Sequence, residues 1–134
     1  MPHVAQTSLR VLVADDSEPV LDALVARLES ASGLEVVAAV RDGFAARQVA
    51  ATGGPGALDI ALVDARMPAG GPQLVRDLLS GPCPPVVVVF TGLADPVLLR
   101  QLWAAGAAAV VLKGDPTTDV VDELRRVGLA AGGG

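Results

Sequence analysis

Five polar or charged residues stand at the ends of separate apolar segments of this sequence. Asp15 and Asp16 follow segment 9–14, Asp64 follows 58–63, Thr91 follows 84–90 and Lys113 follows 107–112. Carboxylate, hydroxyl and ammonium groups of these kinds can together bind a divalent cation and a phosphoryl group. They form a candidate site if the fold brings the segment ends to one place.

The three carboxylates suggest a metal. Carboxylates held close together repel one another and raise at least one pKa, unless a cation neutralises them. Mg²⁺ suits Asp15, Asp16 and Asp64, because it prefers oxygen ligands and is held by one or two carboxylates plus phosphate oxygens. Thr91 and Lys113 can then donate to phosphoryl oxygens. One carboxylate remains free to attack phosphorus, a reaction that depends on positioning and charge neutralisation more than on proton transfer.

Each of these residues has a plainer explanation when it is taken singly. An Asp after a strand is commonly a turn or helix-capping residue, and a Thr before a Gly commonly stabilises a turn. A lysine such as Lys113 is commonly a solvated surface residue. The hypothesis of a site therefore depends on the whole set, whose members end successive predicted strands.

The segments that carry these residues alternate between strand and helix patterns. The sequence predicts strands over 9–14, 34–40, 58–64, 84–90 and 107–112, and helices that begin after Ser17, over 44–51, over 73–80, after Asp95 and over 115–127. This alternation predicts an α/β domain of three layers around a mainly parallel five-stranded sheet. In such sheets ligands bind beyond the carboxyl ends of the strands, where the strand order reverses. The candidate residues all lie at those ends.

Length and composition limit the class of protein. A chain of 134 residues with 51% hydrophobic residues fits one globular domain, expected over residues 9–128, with 129–134 as a flexible tail or the start of a linker. The net charge of −5 argues against direct binding of nucleic acid by this domain. No apolar run is long enough to span a membrane. The lone Cys83 and the absence of a secretory signal predict a cytoplasmic location.

Four motifs give the chain a resemblance to a known family. They are Val11 to Asp16, Leu62 to Pro68, Val89 to Gly92 and Gly106 to Lys113. In one type of domain, the first motif resembles the first strand with its acidic pair, and the second resembles the phosphorylated Asp with its downstream Met-Pro. The third resembles the conserved hydroxyl position, and the fourth resembles the segment that leads to the conserved Lys. Over residues 9 to 128, the chain resembles the receiver domain of two-component response regulators.

The resemblance implies a flavodoxin-like (βα)₅ fold with strand order 2-1-3-4-5. It also implies that Asp64 accepts a phosphoryl group from a sensor histidine kinase and contacts Mg²⁺ together with Asp16, while Asp15 often acts through water. The backbone carbonyl of Arg66 is implied as a further ligand. Such a domain promotes only its own phosphoryl transfer and dephosphorylation and is not otherwise an enzyme. The motifs are most similar to receivers that precede a helix-turn-helix output domain in regulators of transcription.

The chain departs from the family pattern at two positions. Val110 occupies the switch position, where many receivers carry an aromatic residue, and Gly114 follows Lys113 where Pro is common. We therefore expect phosphorylation to be retained, with a smaller shift of Thr91 and the fourth helix as its readout. We also expect Leu93 either to shield the acyl phosphate or simply to pack.

The apolar fourth helix suggests a partner surface. Val97, Leu98, Leu99, Leu102 and Trp103 form an arc wider than one buried face requires. The resemblance implies a homodimer through the fourth helix, fifth strand and fifth helix. The alternative is that Trp103 and Leu99 merely pack on neighbouring helices.

Other functions remain as alternatives to phosphoryl transfer. A phosphorylation-independent interaction module of the same fold is favoured by the non-aromatic Val110 and opposed by the intact acidic cluster. A phosphatase of the haloacid dehalogenase type requires an Asp-x-Asp pattern after the first strand, and the chain has Asp15, Asp16 and Ser17 there instead. Nucleotide binding requires a glycine-rich turn, which is absent between Val13 and Val20.

Overall fold

The computed structural model of the protein describes residues 8–92, 95–115, 117 and 119–132. Within them lie the strands β1 (Leu9–Ala14), β2 (Leu34–Val40), β3 (Ile60–Asp64), β4 (Val86–Thr91) and β5 (Ala109–Leu112). The helices are α1 (Glu18–Glu29), α2 (Gly43–Thr52), α3 (Gly71–Leu79), α4 (Pro96–Ala105) and α5 (Val120–Gly132). The predicted alternation of strands and helices is confirmed.

The strands form one parallel sheet in the order β2-β1-β3-β4-β5. This is the expected flavodoxin-like α/β fold. The chain runs from β1 outward to β2 and then crosses back to β3 on the other side of β1, so the strand order reverses between β1 and β3. A crevice for a ligand is expected at the carboxyl ends of these two strands.

Helices cover both faces of the sheet, which makes the three predicted layers. One apolar cluster joins the sheet to α1 and α5, and the other joins it to α2, α3 and α4. In β4, Val88 belongs to the first cluster whereas Val87 and Val89 belong to the second, because successive side chains of a strand point to opposite faces. This is why β4, an interior strand of the sheet, contains a continuous run of valines.

Two helices begin at the capping residues that the sequence indicates. Ser17 caps α1, with its hydroxyl oxygen accepting from the Val20 amide, and Asp95 caps α4 by accepting from the amides of Val97 and Leu98. No helix in the described part of the chain has both the length and the apolar character that crossing a membrane requires.

The last helix corrects the sequence-based prediction at both ends. It was expected over 115–127, but it begins at Val120 and extends through Gly132. The carboxylate of Asp115 accepts from Thr117 instead of capping the helix, and Asp119 accepts from the Val121 amide at the helix start. Residues 129–132, expected to belong to a flexible tail, are helical. Pro116 lies outside the described residues.

Three strands begin two residues later than predicted, β3 at Ile60, β4 at Val86 and β5 at Ala109. The difference at β5 has a clear cause, since the Ala107 amide donates to the Leu102 carbonyl and so completes the end of α4. Gly106 allows this turn because it adopts a φ of +115° in the left-handed region. The first backbone group free to join β5 is therefore further along the chain.

Candidate functional site

The predicted site residues lie together at the carboxyl edge of the sheet. Asp15 and Asp16 follow β1, Asp64 ends β3, Thr91 ends β4 and Lys113 follows β5. One carboxylate oxygen from each of Asp15, Asp16 and Asp64 lies within 4.8 Å of the others. The strand order places this cluster at the β1–β3 crevice, as expected for a sheet of this topology.

Asp15 is buried and held on both carboxylate oxygens. Its Oδ1 accepts from the Ser17 amide at 2.9 Å, and its Oδ2 accepts from Lys113 Nζ at 2.8 Å. Only 1% of Asp15 is exposed, whereas Asp16 is exposed to solvent. The two adjacent carboxylates therefore differ in environment, one fixed inside the crevice and the other at its mouth.

Asp64 is the second buried carboxylate. Its Oδ1 accepts from the Arg66 amide at 3.1 Å, and its Oδ2 accepts from Lys113 Nζ at 3.3 Å. Burial raises the pKa of the Asp64 carboxyl above its ordinary value, and the negative charge of Asp15 acts in the same direction. The Arg66 amide and the Lys113 ammonium lower this pKa, but they do not compensate fully.

Lys113 bridges the two buried carboxylates. Burial by itself lowers the pKa of the Lys113 ammonium, but the hydrogen bond to Asp15 and the charge of Asp64 outweigh it and raise the pKa above its ordinary value. The Lys113 amide also donates to the Thr91 carbonyl at 2.7 Å, which ties the end of β5 to the end of β4. Lys113 is therefore charged and lies between Asp15 and Asp64.

Phe90 contacts Lys113 of the site, a role for which the sequence motifs gave no indication. Its ring centroid lies 5.4 Å from Lys113 Nζ, within the range of a cation–π contact. The only sequence signal is its place beside Thr91, since alternation along β4 directs the two side chains to opposite faces of the sheet. Its contact with Lys113 becomes visible only in the folded chain.

Thr91 is completely buried at the end of β4. Val110 of β5 lies beside Val89 in the ladder between β4 and β5, and it is partly buried against the same cluster as Leu98 and Leu99 of α4. A valine thus fills the predicted switch position next to α4. Leu93, considered above as a shield of the acyl phosphate, lies outside the described residues.

Arg66 has an exposed side chain whose guanidinium lies 3.9 Å from the Asp95 carboxylate, the cap of α4. Its amide is committed to Asp64, as described above. The role of its carbonyl as a metal ligand stays a prediction.

The donor set fits a magnesium ion by its chemistry. Three carboxylates offer oxygen atoms close together, two of them on buried residues that are oriented by backbone amides. Hard oxygen donors of this kind suit Mg²⁺ better than metals that prefer nitrogen or sulfur. Among the residues that the structure describes, Asp15, Asp16 and Asp64 form a carboxylate cluster that could hold a metal ion.

Known proteins of similar sequence identify the family. A family model described as the response regulator receiver domain matches residues 11–125. The probable transcriptional regulatory protein NarL of Mycobacterium tuberculosis is 31% identical over 122 residues, which cover 90% of this chain and 55% of that protein. The response regulator GacA of Pseudomonas aeruginosa is 36% identical over 121 residues, covering 89% of this chain and 55% of that protein.

Known structures agree with this assignment. The signal receiver domain of the putative response regulator NarL from Mycobacterium tuberculosis superposes with a TM-score of 0.80 at 29% identity, covering 91% of this chain and 97% of that one. The chain spans about half the length of the two curated regulators that it matches. These similarities agree with the acidic cluster, with the lysine between its carboxylates and with the parallel sheet that carries them. The chain belongs to the response regulator receiver domain family of two-component systems.

Proposed function

We propose that this domain accepts a phosphoryl group on Asp64 from the phosphohistidine of a sensor histidine kinase. The observation that supports this most directly is the Lys113 ammonium, which contacts the buried carboxylates of Asp15 and Asp64 at once. A buried pair of carboxylates with a shared cation is costly to maintain for stability alone. The arrangement is better explained by a ligand that brings further negative charge to this crevice.

In the proposed reaction, a carboxylate oxygen of Asp64 attacks phosphorus. The new O–P bond forms as the N–P bond of the phosphohistidine breaks, and the leaving imidazole keeps the electron pair of the broken bond and takes up a proton. Asp64 needs no general base, because its carboxylate is the nucleophile. Asp15 and the Arg66 amide orient the site, since each is hydrogen-bonded to a group that contacts the reaction centre.

Lys113 and Thr91 are proposed to bind the transferred group. The ammonium group of Lys113 carries a compact positive charge that is already partly desolvated. Its donation to a phosphoryl oxygen would offset the negative charge that the phosphoryl group brings to Asp64. The hydroxyl of Thr91 is proposed to donate to a second phosphoryl oxygen. Mg²⁺, when bound by Asp15, Asp16, Asp64 and the Arg66 carbonyl, supplies neutralisation of the remaining negative charge.

The proposal extends to the place of the domain in a signalling pathway. The domain is proposed to act only on its own phosphoryl group. A cytoplasmic location is proposed as well, which agrees with the free thiol of Cys83. The name of its relative NarL, a probable transcriptional regulatory protein, suggests an output in transcription. The chain covers about half of such relatives, and no nucleic-acid contact is assigned to this domain.

The test is phosphorylation by a small donor. The chain is incubated with acetyl phosphate and Mg²⁺, and its intact mass is measured. We expect a gain of about 80 Da, the mass of one phosphoryl group, which is absent for Asp64→Asn and present for Asp22→Asn, a control on the exposed face of α1. Omission of Mg²⁺ should also prevent the gain.

A phosphorylation-independent interaction module is the second candidate. It is favoured by Val110, which gives the switch position no aromatic ring to rotate. Wild-type protein that gains no mass with acetyl phosphate and that binds no Mg²⁺ would exclude the phosphoryl-accepting role and support this module instead.

A further inference from the structure

The loop that leaves Asp64 has an unusual conformation. We call residues 65–70, which connect β3 to α3, the acceptor loop. Ala69 in this loop has a φ of +59°, in the left-handed region that residues other than glycine rarely adopt. The Gly70 amide donates to the Met67 carbonyl at 3.0 Å and closes a tight turn around this position. A non-glycine residue keeps such a conformation only where the surrounding structure enforces it.

One contact that enforces it comes from the start of α2. The Gly43 amide donates to the Pro68 carbonyl at 2.8 Å. A Cβ atom built on Gly43 would lie 1.9 Å from the Ala69 carbonyl oxygen. The backbones of α2 and the acceptor loop are therefore in direct contact, and only glycine permits this approach.

Arg47, one helical turn further along α2, makes the second contact. Its Nη1 donates to the Ala69 carbonyl at 2.7 Å, and its Nε donates to Asp77 Oδ2 of α3 at 2.8 Å. Gln73 Nε2 donates to the other oxygen of Asp77 at 2.9 Å and orients this carboxylate. The Arg47 guanidinium thus connects α2, the acceptor loop and α3, with only 28% of its side chain exposed.

The acceptor loop contains Arg66, whose backbone contacts Asp64. The Arg66 amide donates to Asp64 Oδ1, and the Arg66 carbonyl is the proposed metal ligand. Ala69 follows Arg66 by three residues and lies inside the turn from Met67 to Gly70, which begins directly after Arg66. A displacement of Ala69 would therefore be passed to both backbone groups of Arg66.

We infer that Arg47 and Gly43 are positioning residues for the site, because they hold the acceptor loop so that the Arg66 backbone faces Asp64. This inference rests on the proposed function for the role of the Arg66 carbonyl. A guanidinium suits the task because its N–H groups point in fixed directions, and here two of them meet a carbonyl and a carboxylate. Groups that orient metal ligands typically affect metal affinity strongly although they touch no metal.

The experiment compares Arg47→Ala with Arg125→Ala in the whole chain. Arg125 is a matched control, since its Nη2 donates to the Ser32 carbonyl at 2.7 Å in the loop after α1, at the opposite end of the sheet. Two quantities are measured, namely the backbone amide resonance of Arg66 by NMR without metal and the dissociation constant for Mg²⁺ by calorimetry. Arg47→Lys, which keeps the charge but not the fixed geometry, is measured alongside.

We expect Arg47→Ala to shift the Arg66 amide resonance and to weaken Mg²⁺ binding by roughly tenfold. Arg125→Ala should change neither quantity, and Arg47→Lys should give intermediate values. If Arg47→Ala is folded and leaves both the Arg66 resonance and the Mg²⁺ affinity unchanged, the inference is wrong. Should Arg47→Ala fail to fold, Arg47→Lys decides by the same two measurements.

The design separates this inference from the proposed function. If the wild-type chain binds no Mg²⁺, the proposed function fails, while the Arg66 resonance still shows whether Arg47 positions the acceptor loop. If the wild-type chain binds Mg²⁺ and accepts the phosphoryl group but the Arg66 resonance does not respond to Arg47, only the inference fails.

Discussion

Asp64 experiences opposing electrostatic influences within a few ångströms. Burial and the negative charge of Asp15 disfavour its ionised form, whereas Lys113 and the Arg66 amide favour it, and the net effect is a raised pKa. A carboxyl group whose pKa is higher in the folded than in the unfolded chain lowers the stability of the fold once it is ionised. In the absence of metal, the ionised carboxylate of Asp64 therefore lowers the stability of the domain.

We predict that Asp64→Asn stabilises the metal-free domain at pH 7. The stability lost to ionisation of Asp64 develops as the pH rises from the ordinary value of 3.8 through the raised pKa of this carboxyl. We expect Tm to rise, and in a domain of this size each gain of about 1 kcal/mol corresponds to a rise of about 3–5 °C. Thermal unfolding is followed by circular dichroism in the presence of a chelator.

The pH dependence provides the control for this prediction. The difference in Tm between Asp64→Asn and the wild type should shrink toward zero below pH 3.8, where both chains are uncharged at this position. Asp22→Asn, on the exposed face of α1, should leave Tm unchanged at pH 7. A lower Tm for Asp64→Asn at pH 7 would contradict the electrostatic explanation.

At the scale of elements, α4 is the helix placed to respond to the site. It begins directly after the segment that follows Thr91, and its cap, Asp95, lies within ion-pair distance of Arg66. Leu98 and Leu99 of α4 pack in the same cluster as Val110. With a valine at the predicted switch position, we expect the readout to be a smaller shift of Thr91 and α4, without rotation of an aromatic ring at that position.

Trp103 offers a direct measurement of this readout. It is the single tryptophan of the chain, it lies on α4, and it is 52% exposed. We predict that beryllofluoride with Mg²⁺ changes the fluorescence of Trp103, because a shift of α4 alters the surroundings of its indole ring. The same addition to Asp64→Asn should have no effect. Unchanged wild-type fluorescence at saturating beryllofluoride would show that α4 does not move.

At the scale of the whole molecule, surface charge and apolar exposure act against each other. The net charge of −5 keeps copies of the chain apart, particularly at low salt. Val97 and Trp103 of α4 are both about half exposed, so part of the apolar arc predicted on this helix is not buried by its neighbours. Leu99 is partly buried against the core cluster, as the packing alternative expects, whereas Trp103 remains half exposed.

We predict weak self-association through the face formed by α4, β5 and α5, strengthened when Asp64 carries a phosphoryl group or its analogue. Sedimentation velocity with and without beryllofluoride tests this prediction at physiological salt. We expect a larger weight-average sedimentation coefficient with beryllofluoride. Trp103→Ala should reduce this increase, while Phe44→Ala, which removes an exposed aromatic side chain from α2, should not. Identical sedimentation in both conditions would count against the interface.

The amino-acid sequence by itself determined the layers, the alternation of elements and the set of residues at the carboxyl edge of the sheet. Patterns of apolar residues are local, and parallel strands necessarily end at the same edge, so Asp15, Asp64 and Lys113 could be placed together without coordinates. The strand order and the choice of Asp64 as the proposed phosphoryl acceptor came from the family resemblance. Element ends were less certain, as α5 illustrates, because Asp115 and Asp119 are equally plausible caps by type.

Only the tertiary structure decided which groups touch. Lys113 contacts Asp15 across 98 residues of sequence and Asp64 across 49, and Arg47 meets Ala69 across 22. Such contacts depend on how helices and loops pack around the sheet, which no local pattern specifies. The contact of Gly43 with the acceptor loop is of the same kind, since a glycine in a sequence gives no sign of the backbone that will approach it. The residues of the site are therefore predictable from local patterns, whereas their support depends on long-range packing.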